Sequence, residues 1–431
     1  MIPSFEGIRI LCLGDLLLDR YISGPARRLS PEAPVPIISV TETRNVLGGA
    51  ANVAHNIAAA GAQCTLVGVL GQDAAATTFE NLLPPVLSIT PLLFFDETRK
   101  TSVKTRIMVG HHQLVRLDEE DVDPISPFLI AKILQAVATL LEQHDLIVLS
   151  DYNKGTLPPA FLQQIIAEAR SQGKPVLVDP KGTSYEKYRG ASIITPNVKE
   201  LGEVFGPCAN LEEACAQAQH ALSSYDWQAI LLTCSERGMR LVTPKKVAQV
   251  CATQQEVFDV SGAGDTAMAY FSVGLASGLS LEEAMALANE AAGHAVRRSG
   301  TAVVSYTDLC AVSCTSAYKK VSPEGAYARV QLWRQAGLRV GFTNGCFDVL
   351  HPGHLSTIRT ARAHCDRLIV GLNTDASIRL LKGENRPLQN EETRAEVLAA
   401  LQDVDLIVLF DSYTPQALLE KQQPDFLVKG S

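Results

Sequence analysis

Residues 257–270 read VFDVSGAGDTAMAY. Gly262, Ala263 and Gly264 are small, and an apolar helix-like run, 266–276, follows them. Glycines let successive N–H groups turn toward one anion, and a helix start adds its positive dipole end. Asp265 sits inside that nest of donors. A carboxylate there is placed to take a proton from a hydroxyl while the nest holds a transferring phosphoryl group. The same residues also read as a capping aspartate on a glycine-rich turn, so the surrounding sequence has to decide.

Outward from this turn, short apolar runs recur at 8–14, 64–70, 145–151, 175–179, 191–195 and 229–233. Gly, Pro, Asp or Asn bound them, and helix-like stretches such as 50–60, 158–172 and 211–222 separate most of them. Continuous apolar strands alternating with helices predict a parallel sheet covered on both faces. Segments 20–47 and 92–117 are polar, β-prone and proline-containing, and are expected to form a small antiparallel flap beside the main sheet. The spacing is helical over 281–298 and fades over 300–325, where Pro323 and Gly325 lie. A shorter βα alternation then begins: helix 326–336, strand 338–343, helix 354–364, strand 367–373, helix 391–401, strand 405–410, helix 415–422 and strand 425–429. The expected division is a first domain over 1–310, a linker with a connecting helix over 311–337, and a second domain over 338–431.

Composition narrows the class. The 431 residues are 46% hydrophobic and 19% charged, which is globular and not disordered. A net charge of −8 disfavours bulk nucleic-acid or anionic-membrane binding. No apolar run reaches the roughly 18 residues that span a bilayer, and MIPSFEGIRI lacks a basic start leading into an apolar stretch. Ten scattered cysteines without a C-x-x-C point to reduced thiols in a cytoplasmic protein. The expected partners are therefore small molecules.

Two further segments give the turn its context. LGGAANVAHNIAAAGAQCTLVGVLGQD (47–73) pairs Gly48 and Gly49 with Asn52 at a helix start, and TPNVKEL (195–201) carries an N-x-x-E, Asn197 and Glu200. With G-A-G-D-T, they resemble the ribokinase-like (PfkB) carbohydrate kinases. No Walker P-loop or G-x-G-x-x-G is present, which removes support for a P-loop kinase or a dinucleotide oxidoreductase. The resemblance implies a three-layer α/β/α kinase domain with Asp265 as base, Gly262, Ala263 and Gly264 as the anion nest, and Asn197, Val198, Lys199 and Glu200 at the nucleotide phosphates. Glu200 would stand near Mg2+, directly or through water, a role compatible with a capping box. LLTCSERGM (231–239) places Ser235 and Gly238 near ATP, and Asn289 falls where the family lines the adenine. Tight helix–sheet packing is the other reading of the small residues around Asn289.

The substrate is read from GDLLLDRYISGPARRLSPEAPVPIISV (14–40), KTRIMVGHHQLVRLDEED (104–121), VLSDYNKGTL (148–157) and VLVDPKGTSYEKYRGASIITPN (176–197). These resemble the bacterial D-glycero-β-D-manno-heptose 7-phosphate kinases, nearly continuously from about 8 to 305. The resemblance implies Asp15, Gly48, Gly49 and Asn52 at the sugar, and Lys104, Arg106 and Lys154 at its 7-phosphate, since a dianion needs fixed cations. Each of these cations reads alternatively as a solvated surface charge. The flap segments point to a clasped homodimer.

In the second domain, VGFTNGCFDVLHPGHLSTIRTA (340–361) ends a strand in T-N-G and opens a helix with H-P-G-H. His351 and His354 stand at a helix start, where nucleotide phosphates bind. This resembles the Rossmann-like H-x-G-H nucleotidylyltransferases. GLNTDASIRLLKGENRPLQNEETRAEVLAAL (371–401) and PDFLVKG (424–430) extend the likeness to heptose 1-phosphate adenylyltransferases, implying Lys382 and Arg394 at the site. The two halves together imply ATP-dependent phosphorylation at O1 and then adenylyl transfer to heptose 1-phosphate. Family members continue past V-K-G into a phosphate-binding segment, whereas this sequence stops at Lys429-Gly430-Ser431. Weak or absent adenylyl transfer is expected on that ground. A kinase with a C-terminal assembly module, and a PfkB kinase for another sugar, remain open at this stage.

Overall fold

The computed structural model describes residues 3–83, 88–110, 112–252, 260–297, 303–312, 319–335, 337–412 and 414–429. Residues 257–259 of the glycine-rich stretch, 313–318 of the expected linker and 430–431 lie outside the described residues. The chain divides into two compact units, Ile2–Leu309 and Cys310–Ser431.

Every apolar run of the first unit becomes a strand of one nine-stranded sheet. In spatial order these are Val247–Val250, Met239–Val242, Ala229–Thr233, Ile193–Ile194, Val176–Asp179, Leu146–Ser150, Arg9–Gly14, Gln63–Gly71 and Ile89–Asp96. Pairing is parallel from Ala229–Thr233 to Ile89–Asp96 and antiparallel at the other edge. Side chains alternate across a strand, and the two faces have separate cores. Ile10, Cys12 and Val148 pack in one, while Leu11, Leu13, Ile147 and Leu149 pack in the other. Helices Ala50–Ala59, Ala263–Ala276 and Leu281–Ala295 cover the first face, and Pro127–Gln143, Pro159–Ser171 and Leu211–Tyr225 cover the second. Burial on both faces is why these strands read as unbroken apolar runs.

The flap is a four-stranded sheet in the order Glu42–Gly49, Leu16–Ser23, Ser102–Val109, His112–Glu119. It differs from the sequence expectation in two ways. Its central pair is parallel, Leu17 against Ser102, because a crossover through Gln63–Gly71 and Ile89–Asp96 joins the two strands where a hairpin would make them antiparallel. Residues 92–96 lie in the main sheet, registered from Cys64 opposite Ile89 to Gly71 opposite Asp96. Leu93 packs toward one core and Leu92 and Phe94 toward the other, which an exposed flap would not allow.

The second unit is a five-stranded parallel sheet ordered Lys320–Val321, Leu406–Phe410, Arg367–Asn373, Val340–Gly345, Phe426–Leu427. Helix Pro323–Gln335, which the sequence reading assigned largely to the linker, belongs to this unit's core. Its Ala326, Val330 and Trp333 form an i, i+4, i+7 stripe against Val340 and Phe342. Helix Asp375–Lys382 is not legible as apolar periodicity, because only Ser377 and Ile378 of it are buried.

Candidate active sites in the two units

In open parallel sheets ligands gather beyond the carboxyl ends of the strands. The first unit's cleft lies there, lined by Asp151, Tyr152, Asp179, Lys181, Asn197, Glu200, Thr233, Gly262, Gly264 and Asp265 among others. Gly262 caps helix Ala263–Ala276 at φ 78°, a left-handed conformation that favours glycine. Ala263 N–H bonds back to Val260 O, and a Cβ on Gly264 would meet nothing, so the cleft side of this first turn is open. Asp265 is 4% exposed. Asn52 Nδ2 donates to its Oδ2 at 2.7 Å and Tyr152 OH to its Oδ1 at 2.8 Å. Burial pushes the Asp265 carboxyl up to about 6, against the pull of those two hydrogen bonds. A carboxylate with that affinity is ionised at neutral pH and still a competent base.

Several neighbours have partners within the protein. Asn52, expected at the sugar, gives its amide to Asp265. Asp15, expected to accept a sugar hydroxyl, accepts the backbone N–H groups of Tyr152, Lys154 and Thr156 at 2.7, 3.0 and 3.2 Å, and so fixes the loop after Leu146–Ser150. Gly49 stands at φ 59°, and a Cβ there would lie 2.4 Å from Asp15 O. A Cβ on Gly48 would lie 2.6 Å from Asp19 Oδ2, so this glycine leaves room for a buried carboxylate that the sequence reading passed over.

Each of the three expected phosphate ligands has a carboxylate partner or an aromatic seat. Arg106 Nη1 pairs with Asp19 Oδ1 at 2.5 Å, and Lys154 Nζ with Glu120 Oε1 at 2.6 Å. Lys104 Nζ lies 5.4 Å from the centre of the Tyr152 ring. Burial pushes the Lys104 ammonium down, with Asp19 and Glu120 opposing and Lys154 adding to the shift. Lys104 and Lys154 thus feel one another, as two cations around one anion subsite would.

On the nucleotide side, Asn197 and Glu200 form a full capping box for helix Val198–Phe205, with Asn197 Oδ1 accepting from Glu200 N at 2.9 Å and Glu200 Oε2 from Asn197 N at 3.0 Å. Glu200 Oε1 also pairs with Lys181 Nζ at 2.6 Å. Asp179 stands beside them, its carboxyl pushed well up by burial and by Asp265 and Glu200. Val198, Lys199 and Ser235 line a groove that shares Asn197 and Thr233 with the cleft. Ser235 (φ 51°) and Gly238 (φ 81°) shape the turn after Ala229–Thr233, where a Cβ on Gly238 would sit 2.0 Å from Val250 O. Asn289, expected against adenine, donates to Cys251 O at 3.1 Å and tethers the segment after Val247–Val250. Tyr152, Asp19, Asp179 and Lys181 are the site residues sequence reasoning missed. The signal available for them was position: each lies on a strand or just past a strand end inside a quoted motif.

In the second unit, His351 caps helix Pro352–Ala363, its Nδ1 accepting from Gly353 N at 3.2 Å. A Cβ on Gly353 would lie 2.9 Å from the His351 ring, which explains the glycine. The His351 and His354 rings stack with centres 3.8 Å apart, and Phe347 packs 5.0 Å from His354. Burial, with His351 and Lys382 adding, pushes the His354 imidazole down. Lys382 ends the helix Asp375–Lys382 within electrostatic reach of this pair. Arg394, expected at the site, is held by the protein itself. It is 1% exposed, and its nitrogens donate to Asp375 Oδ1, Cys346 O and Gln389 O at 2.6, 2.6 and 2.9 Å. A buried guanidinium must satisfy its donors, and this one does so on the protein, tying the T-N-G-C turn to helix Glu391–Ala399. Asp348 does similar work, accepting from Arg386 Nη1, Leu388 N and Gln389 N at 2.6, 2.6 and 3.1 Å. Burial opposes, but those bonds hold its carboxyl below the usual range.

The comparisons follow the same division. The family model for pfkB family carbohydrate kinases matches residues 8–308, and the cytidylyltransferase-like model matches 342–431. The Arabidopsis thaliana ribokinase structure complexed with ribose and ATP aligns at a TM-score of 0.57 and 20% identity, covering 71% of this chain and 98% of its own. Phosphofructokinase-2 from Escherichia coli aligns at 0.60 and 22%, covering 71% and 97%. Both show the ribokinase-like fold. The bifunctional protein HldE of Rhodospirillum rubrum is 45% identical over 439 aligned residues, 100% of this chain and 88% of the relative. Sharing that identity from end to end, the chain belongs to the HldE family of bifunctional proteins, in which a sugar kinase of the pfkB type is joined to a nucleotidyltransferase.

Proposed function

We propose that the first unit transfers the γ-phosphoryl group of ATP to O1 of D-glycero-β-D-manno-heptose 7-phosphate. Against the weak or absent transfer expected from the sequence, the second unit transfers the adenylyl group of ATP to heptose 1-phosphate, a reading supported by the likeness to bifunctional relatives along the whole of this chain. The observation that carries the kinase reading is Asp265: a buried carboxylate in the first turn of a glycine-capped helix, facing a cleft. Asp265 takes the O1 proton, the oxygen bonds to the γ-phosphorus, and the bond to ADP breaks. The N–H groups at Gly262 and Gly264 face the charge that develops on the phosphoryl oxygens, while that of Ala263, expected in the same nest, is turned back to Val260 O. The product is the 1,7-bisphosphate.

Lys104 and Lys154, which act on one another, and Arg106, two residues from Lys104 on the same strand, support a substrate that already carries a phosphate, because a dianion needs fixed cations. Asn197, Glu200, Ser235 and Lys181 border the triphosphate path, with Asn289 holding its far wall. ATP and a divalent metal go with both activities. Asp179 and Glu200 suit magnesium held through water and phosphate oxygens, the usual arrangement for that ion. Bound there, magnesium would neutralise charge on the β- and γ-phosphates.

In the second unit a heptose 1-phosphate oxygen attacks the α-phosphorus of ATP and pyrophosphate leaves. His351, His354 and Lys382 neutralise and orient the phosphates, which is most of what this chemistry asks of a protein. A separate phosphatase removes the 7-phosphate between the two steps, and the ADP-heptose serves lipopolysaccharide core assembly. The chain works in the cytoplasm on small molecules; no helix among the described residues is long and apolar enough to cross a membrane. It acts as a homodimer through the flap, whose outer strand His112–Glu119 is exposed throughout and carries Leu114, Val115 and Leu117 on a free sheet edge. The test is an end-product assay with ATP and heptose 7-phosphate. The bisphosphate should accumulate alone, and ADP-heptose should appear when the phosphatase is added. Equal phosphorylation of free ribose or adenosine would overturn the substrate.

A further inference from the structure

The loop carrying Tyr152 is held more firmly than a short surface connection needs. Asp15 accepts three of its N–H groups, and Asp151 Oδ1 accepts that of Asn153 at 2.7 Å. Asn153 and Gly155 stand in the left-handed region at φ 58° and 83°, and a Cβ on Gly155 would lie 2.0 Å from Asp123 O. Uncommon backbone conformations persist where the surroundings over-determine them, and they cluster at working sites. This loop delivers the Tyr152 phenol to Asp265 Oδ1 at 2.8 Å, with Lys104 over the face of the same ring.

The opposite oxygen is held by an equally directed chain. Val304 N–H donates to Asn56 Oδ1 at 3.1 Å, Asn56 Nδ2 to Asn52 Oδ1 at 3.2 Å, and Asn52 Nδ2 to Asp265 Oδ2 at 2.7 Å. A backbone N–H only donates, so the direction of the whole chain is set and Asn52 must present its NH2 to the carboxylate. Asp265 is therefore clamped from two sides by donors. The Asn52 side is rooted in the core, and the Tyr152 side is rooted in the loop that also bears Lys154.

We propose that Tyr152 is a positioning residue for phosphoryl transfer: its hydroxyl holds the Asp265 carboxylate ionised and turns the free lone pairs toward the sugar hydroxyl. This rests on the kinase reading with Asp265 as base. Burial, then the nearby carboxylates of Asp265, Asp179 and Asp19, push the phenol well up, so Tyr152 stays protonated and acts only as a donor. The other groups facing Asp265 are Asp19 from Leu16–Ser23, which raises its proton affinity, and Lys104 from Ser102–Val109, which lowers it. Asp179, at the end of Val176–Asp179, and Cys12, on Arg9–Gly14, are both buried with their own proton affinities pushed up.

The test is Tyr152→Phe, which keeps the ring beneath Lys104 and removes only the hydroxyl. A hydrogen bond to a charged group is worth about ten- to a hundredfold, so kcat should fall by that factor. The sugar KM should stay within about threefold, because the substrate contacts remain. The hydrogen bond favours the ionised carboxylate, so its loss should move the acid limb of kcat/KM up by about one pH unit. An unchanged limb with unchanged kcat overturns the proposal. So does a lowered melting temperature with the limb unmoved, the mark of a structural hydroxyl. Asp265→Asn measured alongside separates the two claims. If it stays active, the base reading fails; if it is inactive while Tyr152→Phe is normal, only the role of Tyr152 falls.

Discussion

The two units meet their phosphates with opposite arrangements of charge. In the kinase cleft the proposed base is a buried carboxylate, and the cations around it are paired: Arg106 with Asp19, Lys154 with Glu120, Lys181 with Glu200. In the second unit two imidazoles stack at a helix start with Lys382 nearby, while the buried cation, Arg394, is spent on the protein. The difference follows from the chemistry. Taking a proton from a sugar hydroxyl requires a base with a tuned affinity, and tuning requires burial and fixed neighbours. Transferring an adenylyl group requires positive charge and donors at fixed places, which a helix start and two histidines provide without deep burial.

The largest effect that would break this contrast is at Asp265. Asp265→Asn keeps the size and removes the base, so kinase turnover should fall by about 10²–10⁴-fold while adenylyl transfer is unchanged. Its carboxyl is raised to about 6, and the ionised form is the active one. Wild-type kcat/KM should therefore fall as pH drops through about 6 and level off above it. A kinase rate flat from pH 5 to pH 8 would show that no buried carboxylate governs the step.

Next in size is Arg394→Ala, which leaves Asp375 and two carbonyl groups without their donor. Removing one partner of a buried pair costs about 3–5 kcal/mol. The loss should appear in the unfolding of the second unit, with kinase kcat intact. Loss of adenylyl transfer at unchanged stability would instead return Arg394 to the phosphates. His354→Ala should follow, lowering adenylyl transfer by about 10²–10³-fold, the scale for removing one preorganised donor, without touching the melting temperature. If both variants give the same pattern, the distinction between a working imidazole and a structural guanidinium collapses.

What was legible divides along physical lines. Strands buried on both faces announce themselves as apolar runs, so Arg9–Gly14 and Leu146–Ser150 could be placed from the sequence. The strands Met239–Val242 and Val247–Val250 could not, because each has only four residues and the outer, edge one is nowhere fully buried. Asp265 was legible because glycines mark the turn beside it. Tyr152 was not, since its partner lies 113 residues away and a place just past a strand end does not by itself distinguish a phenol that meets a base from one that meets solvent. Arg394 misled for a related reason. A charge in a sequence carries no sign of burial, and the family position alone could not show that its donors point inward.

The smallest effects probe whether the paired cations of the kinase cleft are held in reserve for substrate. Lys154→Ala removes a charge-assisted contact, and the sugar KM should rise by about tenfold or more with the ATP KM nearly unchanged. A rise in the ATP KM would move Lys154 to the other subsite. Glu120→Gln is the finer test. Glu120 Oε1 lies 2.6 Å from Lys154 Nζ, and both side chains are mostly buried, at 21% and 16% exposure. A substrate phosphate that takes Lys154 has to displace this carboxylate. Replacing it with an amide removes the competing charge and keeps the shape. A partly exposed ion pair of this kind is worth about 0.2–1 kcal/mol, so the sugar KM should fall by about two- to fivefold. If the sugar KM rises instead, Glu120 serves to aim Lys154 at the phosphate, and the pairs in the first unit are scaffolding like Arg394 in the second.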